Sequence, residues 1–476
     1  MPGTVTGDCR HHDLINNVGV YPMSFLENIY DHSPIFFQNI MCSASGRIKY
    51  NKRYKNSYWK ERLRCKEFDK LPLNRQMEYQ RRELIKFVNY AYQNSKFYHD
   101  LYKNIDLSAI KNLEDLKKLP IVDKEMLRSN IDDVYTVSDR ESTTGNTGGT
   151  TGKSLSVRIT IQDGNKRMAV LDHFKSRVGF ENLKMKRATF NGKHIIPPSQ
   201  KAHVYWRYNA PCKQMIYSSF HLTEDKMGYY VKSLNKFKPQ AIDGFFTSIC
   251  DIASYIERHG LTVDFKPIAI FPTSETLNDE GRNLIERVFH CKVYDQYASS
   301  EGAPFVTECE NQRLHIELNT GVFEFLDDGE ILVTSFTTHG TPLIRYAIGD
   351  RMIPEDKTVS CSCGLHGPLI KKIEGRRLDF LYKPDGAKIN AGNVSNLLKY
   401  LPNSVIRTQF QQDEMDQITI LLEVDEKIFL EKDKNKIISE CRHTFGDEMK
   451  VVIRVVNSIP RADSGKFRMI INSVEE

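Results

Sequence analysis

The spacing of apolar residues changes several times along this chain, and each change predicts a different kind of element. Up to about residue 118 the pattern is helical and charged. In "LNRQMEYQRRELIKFVNYAYQNSKFYHDLY", Leu84, Val88, Tyr90 and Ala91 recur at helix-like intervals. Pro120 precedes a short predicted strand, and Asp123 stands where the next helix needs an N-cap. Leu155, Val157 and Ile159 then alternate with Ser156, Arg158 and Thr160, the period of a strand. From about residue 187 to 310, β-rich runs alternate with helical ones. "AIDGFF" leads into "SICDIASYIERHG", and "PIAIFPTSETL" into "NDEGRNLIERVFH". That alternation predicts an α/β sheet with helical crossovers. From about residue 315 to 353 the pattern is β, with a turn at Asp327, Asp328 and Gly329. The remainder has strands and helices of its own in "QITILLEVD", "FLEKDKNKIISECRHTFG" and "KVVIRVV". The expected organisation is α/β: a large N-terminal domain over 1–375, mostly helical over 1–118, and a small α+β domain over 376–476. There is no internal repeat and no low-complexity segment.

Length supports this division, because 476 residues exceed one core of usual size and imply two to four domains. Hydrophobic residues make 40% and charged residues 27%, a soluble globular mix. The 67 basic and 61 acidic residues leave a net charge of +6 that reads as dispersed, which argues against a nucleic-acid partner. Ten Cys without disulfide spacing point to a reducing compartment. The start, "MPGTVTGDCRHHDL", lacks the pattern of a signal peptide, so the expected location is cytoplasmic. No apolar stretch reaches the length of a membrane span. "SPIFFQNIMC" (33–42) is apolar but short. It reads first as a helix packed on the main domain, with a membrane-surface anchor as the alternative.

The stretch "STTGNTGGTTGKSLSVRIT" (142–160) has the composition of a phosphate cradle, yet it fails twice as a Walker A loop. Gly152, Lys153 and Ser154 fit the end of that motif, but its first Gly falls on Thr147. The strand predicted after Ser154 also takes the place of the helix that such a loop opens. A loop between two extended runs is expected instead. Four further motifs follow in order: "YDQYASSEG" (294–302), "LIRYAIGDR" (343–351), "IEGRRLDFL" (373–381) and "IPRADSGKFR" (459–468). Together they resemble the acyl-adenylate-forming superfamily of acyl-CoA synthetases, peptide-synthetase adenylation domains and luciferases, from about residue 118 to 468. "TECE…LHIE", "TPLIRYAIGD", "CSCG" and "PDGAKI" resemble the phenylacetate–CoA ligase branch, and within it the ligase-like proteins of capsule and surface-polysaccharide clusters. The resemblance implies a large adenylate-forming domain of β-sheets flanked by helices and a small, mobile C-terminal domain. Rotation of that small domain would alternate the two half-reactions.

It also implies a reaction: ATP and a carboxylic acid give acyl-AMP and pyrophosphate, and the acyl group passes to CoA or another thiol. Two anions must meet, so the site has to offset negative charge without blocking attack. Gly lets backbone amides converge and hydroxyls add donors. By that resemblance Thr143, Thr144, Gly145, Thr147, Gly148, Gly149, Thr150, Thr151 and Lys153 are expected around the outgoing phosphates. Glu301 is the expected ligand of Mg²⁺, an ion that takes one or two carboxylates plus phosphate oxygens and waters. Gln296, Tyr297, Ala298, Ser299 and Ser300 form the expected adenine edge. In that edge Tyr297 stacks on the base, Ala298 replaces the usual Gly, and Ser300 replaces the family's Thr beside the α-phosphate. Asp350 would accept the ribose hydroxyls, Arg376 would support ribose or phosphate, and Lys466 would bridge carboxylate and α-phosphate. Thr143, Ser300, Glu301 and Lys466 make the expected catalytic set. The family's hinge carboxylate is Leu378 here, followed by Asp379, which leaves the hinge position open.

Phe190, His194, Tyr217, Phe245, Ser274 and Glu275 are candidates for the acyl pocket. Their rings suit an aryl acid, the polar members an amino or hydroxy acid, and ordinary core roles are the alternative. Cys309, His315, Cys361 and Cys363 form a Cys₃His set of the kind that holds structural Zn²⁺, against four unrelated residues of a reduced protein. Rival functions remain at this point: acyl transfer to an amine, such as an amino sugar or amino acid in polysaccharide or natural-product biosynthesis, or a non-catalytic nucleotide-binding protein on the same fold.

Overall fold

The computed structural model describes residues 23–146, 155–197, 199–374, 380–398, 401–402, 404–424, 426–457, 459 and 469–474. Helices dominate the start, as the spacing predicts. The longest, Leu73–Asn94, buries Leu84, Val88 and Ala91 and leaves Tyr90 at its edge. Asp123 caps Lys124–Ser129, accepting from the Met126 amide at 2.8 Å. The strand expected after Pro120 shrinks to a single parallel bridge between Val122 and Tyr346, because the chain turns into that capped helix one residue later.

Two sheets build the large lobe. The first runs Trp206–Asn209, Gln214–Ser218, Arg187–Asn191, Ala241–Phe245, Ala269–Thr273 in spatial order. Its last four strands are parallel, with Trp206–Asn209 antiparallel at the edge. Helices Glu224–Phe237, Phe246–Arg258 and Asp279–Phe289 follow three of its strands, the predicted α/β crossovers. At its centre Gly244 has φ +131°, and a Cβ there would collide with the Phe190 carbonyl. Only glycine allows that approach. The second sheet has seven antiparallel strands between residues 296 and 374. Its hairpin Gly321–Phe325/Glu330–Ser335 turns where Asp327, Asp328 and Gly329 predict.

Beyond residue 380 a β-rich C-terminal lobe carries a four-stranded sheet and the helices Ala391–Leu398 and Glu431–Phe445. Its core gathers Leu381, Ile389, Phe410, Ile420, Ile437, Phe445 and Ile470, and admits Phe220 from the large lobe. Among the described residues the rest of the seam is polar or carries rings. Lys226 pairs with Asp385 at 3.0 Å, Ser219 donates to Asn393 at 3.2 Å, and the His194 ring lies between Phe220 and His443. Among the described residues no helix is long and apolar enough to cross a membrane.

A buried ionic knot joins the helical start to helix Ile161–Arg177 and to the seven-stranded sheet. Arg177, at the end of helix Ile161–Arg177, donates to Asp69 at 2.6 and 2.8 Å and to Glu317 at 2.5 and 3.1 Å. His173, one turn earlier, meets Asp69 at 2.7 Å. Burial resists ionisation of Asp69, but His173 and Arg177 hold its carboxyl below the usual carboxylate range. Arg177→Leu would strand Asp69 and Glu317. It should cost about 3–5 kcal/mol of unfolding free energy, read from urea melts.

Candidate active site

The Gly-Thr stretch rises from an antiparallel hairpin. Ser142–Asn146 pairs with Ser156–Thr160 in a register from Ser142↔Thr160 to Asn146↔Ser156. Leu155 and Val157 are buried in the main core, so the pairing is anchored on one side. Thr143 and Thr144 are exposed on the rising strand and Gly145 is half-buried. The tip, with Thr147, Gly148, Gly149, Thr150, Thr151 and Lys153, lies outside the described residues, as do Arg376 and Lys466.

The hairpin runs directly into helix Ile161–Arg177, capped by Thr160, whose hydroxyl accepts from the Asp163 amide at 3.0 Å. Asp163 is itself buried, and its carboxylate accepts from the His339 amide and from His339 Nδ1, both at 2.8 Å. One turn on, Arg167 donates to the carbonyls of Gly302 and Ala303 at 2.8 Å and to the Thr337 hydroxyl at 2.9 Å. Its other nitrogen reaches the Ser299 carbonyl at 3.4 Å, and its guanidinium lies 4.4 Å from the Phe305 ring centre. Burial lowers its pKa to about 10, so it stays charged at neutral pH. The first two turns of one helix thus fix the hairpin, the Ser299–Gly302 turn and the 337–341 segment together.

From that turn Glu301 comes to 3.7 Å from Lys124 Nζ. Ala298 and Ser300 are exposed beside it and Ser299 is half-buried, its hydroxyl accepting from the Gly302 and Ala303 amides. Gly302 has φ +106°, a conformation that glycine adopts without strain. Gln296 and Tyr297 form the edge strand before the turn, and the Tyr297 hydroxyl donates to Asp350 Oδ2 at 2.8 Å. Burial, reinforced by the charges of Glu301 and Asp350, raises the Tyr346 phenol far above its ordinary range. Tyr346 is therefore a neutral hydroxyl among carboxylates. The structure thus gathers Gln296 to Glu301 with Asp350, and adds Lys124, Arg167 and Tyr346. Sequence reasoning missed these three. Lys124 looked like any residue after an N-cap, and its approach to Glu301 is purely spatial.

The pocket candidates scatter. Phe190 and Tyr217 stack at 5.1 Å inside the core of the five-stranded sheet, and Tyr217 binds the Ser233 hydroxyl at 3.0 Å. Phe245 is buried just before helix Phe246–Arg258. Glu275 accepts from the amide and hydroxyl of Thr247 at that helix's start, and burial pushes its carboxyl up to about 7. Ser274 precedes it, exposed, with φ +68°. His194 sits at the lobe seam, stacked on Phe220.

The sulfur set does converge. The ligand atoms of Cys309, His315, Cys361 and Cys363 all lie within 4.8 Å of one another. A tight turn after strand Val306–Glu308 brings Cys309 beside His315 on the neighbouring strand, and a second turn brings Cys361 and Cys363. His315 Nδ1 faces the Gly367 carbonyl at 3.1 Å, which orients Nε2 to within 3.4 Å of Cys363 Sγ. Burial lowers the His315 pKa and so favours the neutral ring that a metal takes.

Residues 381–473 match the CapK C-terminal domain. Protein CapK of Staphylococcus aureus is 38% identical over 459 residues, spanning 94% of this chain and all of that protein. The phenylacetate–coenzyme A ligase of Thermus thermophilus is 23% identical, over 85% of this chain and 98% of its own. The solved 2-hydroxyisobutyryl-CoA ligase, in the postadenylation state in complex with R3-HIB-AMP, shares the fold with a TM-score of 0.55. That match is 18% identical and covers 85% of this chain and 91% of that one. These likenesses set the chain among the adenylate-forming ligases. Within them it belongs to the CapK family.

Replacing Arg167 leaves the Gly302 and Ala303 carbonyls short of a buried donor. Arg167→Met should cost about 2–4 kcal/mol and speed amide exchange over residues 299–303. Hydrogen-exchange mass spectrometry checks this, with the five-stranded sheet as the unchanged reference.

Proposed function

We propose that this chain activates a carboxylic acid with ATP, forming acyl-AMP and pyrophosphate, and then passes the acyl group to a thiol, CoA first among them. The single observation that carries the reading is the convergence on helix Ile161–Arg177 of the Gly-Thr hairpin and the Ser-Ser-Glu turn, with Lys124 at Glu301. A carboxylate oxygen attacks the α-phosphorus, a new P–O bond forms, and the bond to the bridging oxygen breaks to release pyrophosphate. The thiolate sulfur then attacks the acyl carbon, and AMP leaves with its phosphate oxygen. The hairpin loop would receive the β- and γ-phosphates. Lys124 offsets negative charge next to Glu301. Tyr297 and Asp350, already paired, would meet the nucleoside, and the neutral Tyr346 adds a hydroxyl without adding charge. Glu301, one carboxylate at a half-buried edge, suits Mg²⁺, which draws its remaining ligands from phosphate and water. When bound, that ion neutralises the phosphates. Arg376 and Lys466 keep the roles that the family likeness gives them.

The Cys₃His set suits a structural Zn²⁺ that clamps two turns of the seven-stranded sheet. Elemental analysis of protein purified without added metal should find about one Zn per chain. Metal-free protein of full stability would leave the four residues as a reduced thiol cluster.

The reaction is tested by product analysis over a panel of carboxylic acids, with and without CoA or amines. AMP and pyrophosphate should appear; ADP and phosphate would overturn the reading. Lys466→Ala should slow acyl-AMP formation about a hundred- to a thousandfold. It should still transfer acyl groups from preformed acyl-AMP. Equal loss of both steps would remove the division of labour between lobes.

A further inference from the structure

The helix Ile35–Arg53, which contains the apolar "SPIFFQNIMC" segment apart from its first two residues, does not bury its large residues. Gln38, Cys42 and Gly46, four apart, face the protein. Gly46 lies so close on Asn209 that any Cβ would collide with it, and Gln38 is bonded to Tyr30, Ser33 and Arg207. A tight, polar inner face leaves no room for rings. Phe36 (70% exposed), Phe37 (55%) and Ile40 (47%) consequently point outward. Phe36, Ile40, Ala44 and Arg47 border an open groove of about 650 Å³ against Tyr208 and Pro211. The next helix, Asn56–Asp69, repeats the arrangement: Tyr58, Cys65 and Phe68 face inward, while Trp59 (48%) and Leu63 (61%) face out. Large exposed rings in this concentration mark a contact surface.

Charge says what covers it. Residues 33–77 hold eleven Lys and Arg against three Asp and Glu, a net +8, while the whole chain is +6. The basic excess is thus not dispersed, as composition alone suggests. It lies entirely in the segment that carries the exposed rings, and the rest of the chain nets −2. Lys52, Arg53, Lys55, Lys60, Arg64 and Lys66 are all exposed. One of the three acids, Asp69, is consumed in the buried knot with Arg177. The two helices and their link, residues 35–69, hold nine Lys and Arg against three Asp and Glu, so a second copy docked face to face would set +6 against +6 and self-association through this face is electrostatically opposed.

We propose that the outer face of helices Ile35–Arg53 and Asn56–Asp69 docks on an anionic lipid surface, with Phe36, Phe37, Ile40, Trp59 and Leu63 entering the headgroup boundary and the basic side chains meeting lipid phosphates. Aromatic rings with flanking Lys and Arg are the composition of interfacial helices, and low net hydrophobicity keeps such binding reversible. The catalytic reading is independent of this surface, because none of these residues belongs to the candidate active site.

Sedimentation of the full chain with vesicles tests it. Vesicles of phosphatidylcholine with about one-third phosphatidylglycerol should bind at least tenfold better than pure phosphatidylcholine, and raised salt should release the protein. Phe36→Ser/Phe37→Ser/Ile40→Ser and Lys52→Gln/Arg53→Gln/Lys55→Gln should each weaken binding about tenfold or more, with circular dichroism unchanged, because these side chains are exposed. Absence of binding to anionic vesicles, or wild-type binding by both variants, would overturn the proposal. So would a concentration-dependent dimer abolished by the Phe/Ile variant, which would assign the face to a second copy.

Discussion

Asp163 and Arg167 stand one turn apart on a single helix, the first buried and the second half-buried, with opposite charges that are not spent on each other. Asp163 takes two donors from His339, and Arg167 feeds the carbonyls of residues 299, 302 and 303 and the hydroxyl of Thr337. Buried charge survives only where such partners are complete, so the partners' positions are dictated. Because most of Arg167's acceptors are backbone atoms, it fixes the path of the turn and leaves its side chains uncommitted. Ser300 remains exposed and Glu301 half-buried, available to a ligand. The rigidity of the turn comes from behind, and its chemistry faces forward.

A second brace acts on the same strands from their far end. Gln296–Tyr297 pairs with Val306–Glu308, and the Ser-Ser-Glu turn closes one end of that pair. At the other end the chain passes from Glu308 into Cys309 and the sulfur cluster. The strand pair is only two residues deep, too short to hold its own register by hydrogen bonds alone. Closure at both ends supplies the missing constraint. Arg282 strengthens it by gripping Glu308 at 2.6 and 3.1 Å.

Elements with a strong period were legible. The helix around Leu84, the hairpin strand from Leu155, the α/β crossovers and the Asp-Asp-Gly turn all stand where spacing places them, because each is decided by contacts near in sequence. The Cys₃His convergence was legible as composition, and the fold supplies its geometry. What escaped has a common cause. Lys124 reaches Glu301 across 177 positions, and Arg167 reaches Gly302 across 135, distances that no local period encodes. The aromatic residues Phe190 and Tyr217 show the converse: attractive as pocket lining, they stack on each other in the core of the five-stranded sheet. A short strand buried without alternation does not announce which of its residues join the core.

The lobe seam carries a thermodynamic consequence. One partly exposed ion pair contributes about 1 kcal/mol or less, and a ring stack about as much again. Among the described residues, Phe220 is the one large apolar side chain of the large lobe set into the C-terminal core. A contact of this make-up resembles a transient complex between two proteins more than a shared core. The C-terminal lobe is therefore best regarded as a tethered ligand of the large lobe. Its occupancy of any one docking position would follow from an ordinary dissociation constant multiplied by the high effective concentration that covalent linkage supplies. On that view the tether supplies proximity and Phe220 most of the affinity, so arrangements that bury Phe220 equally well are close in free energy.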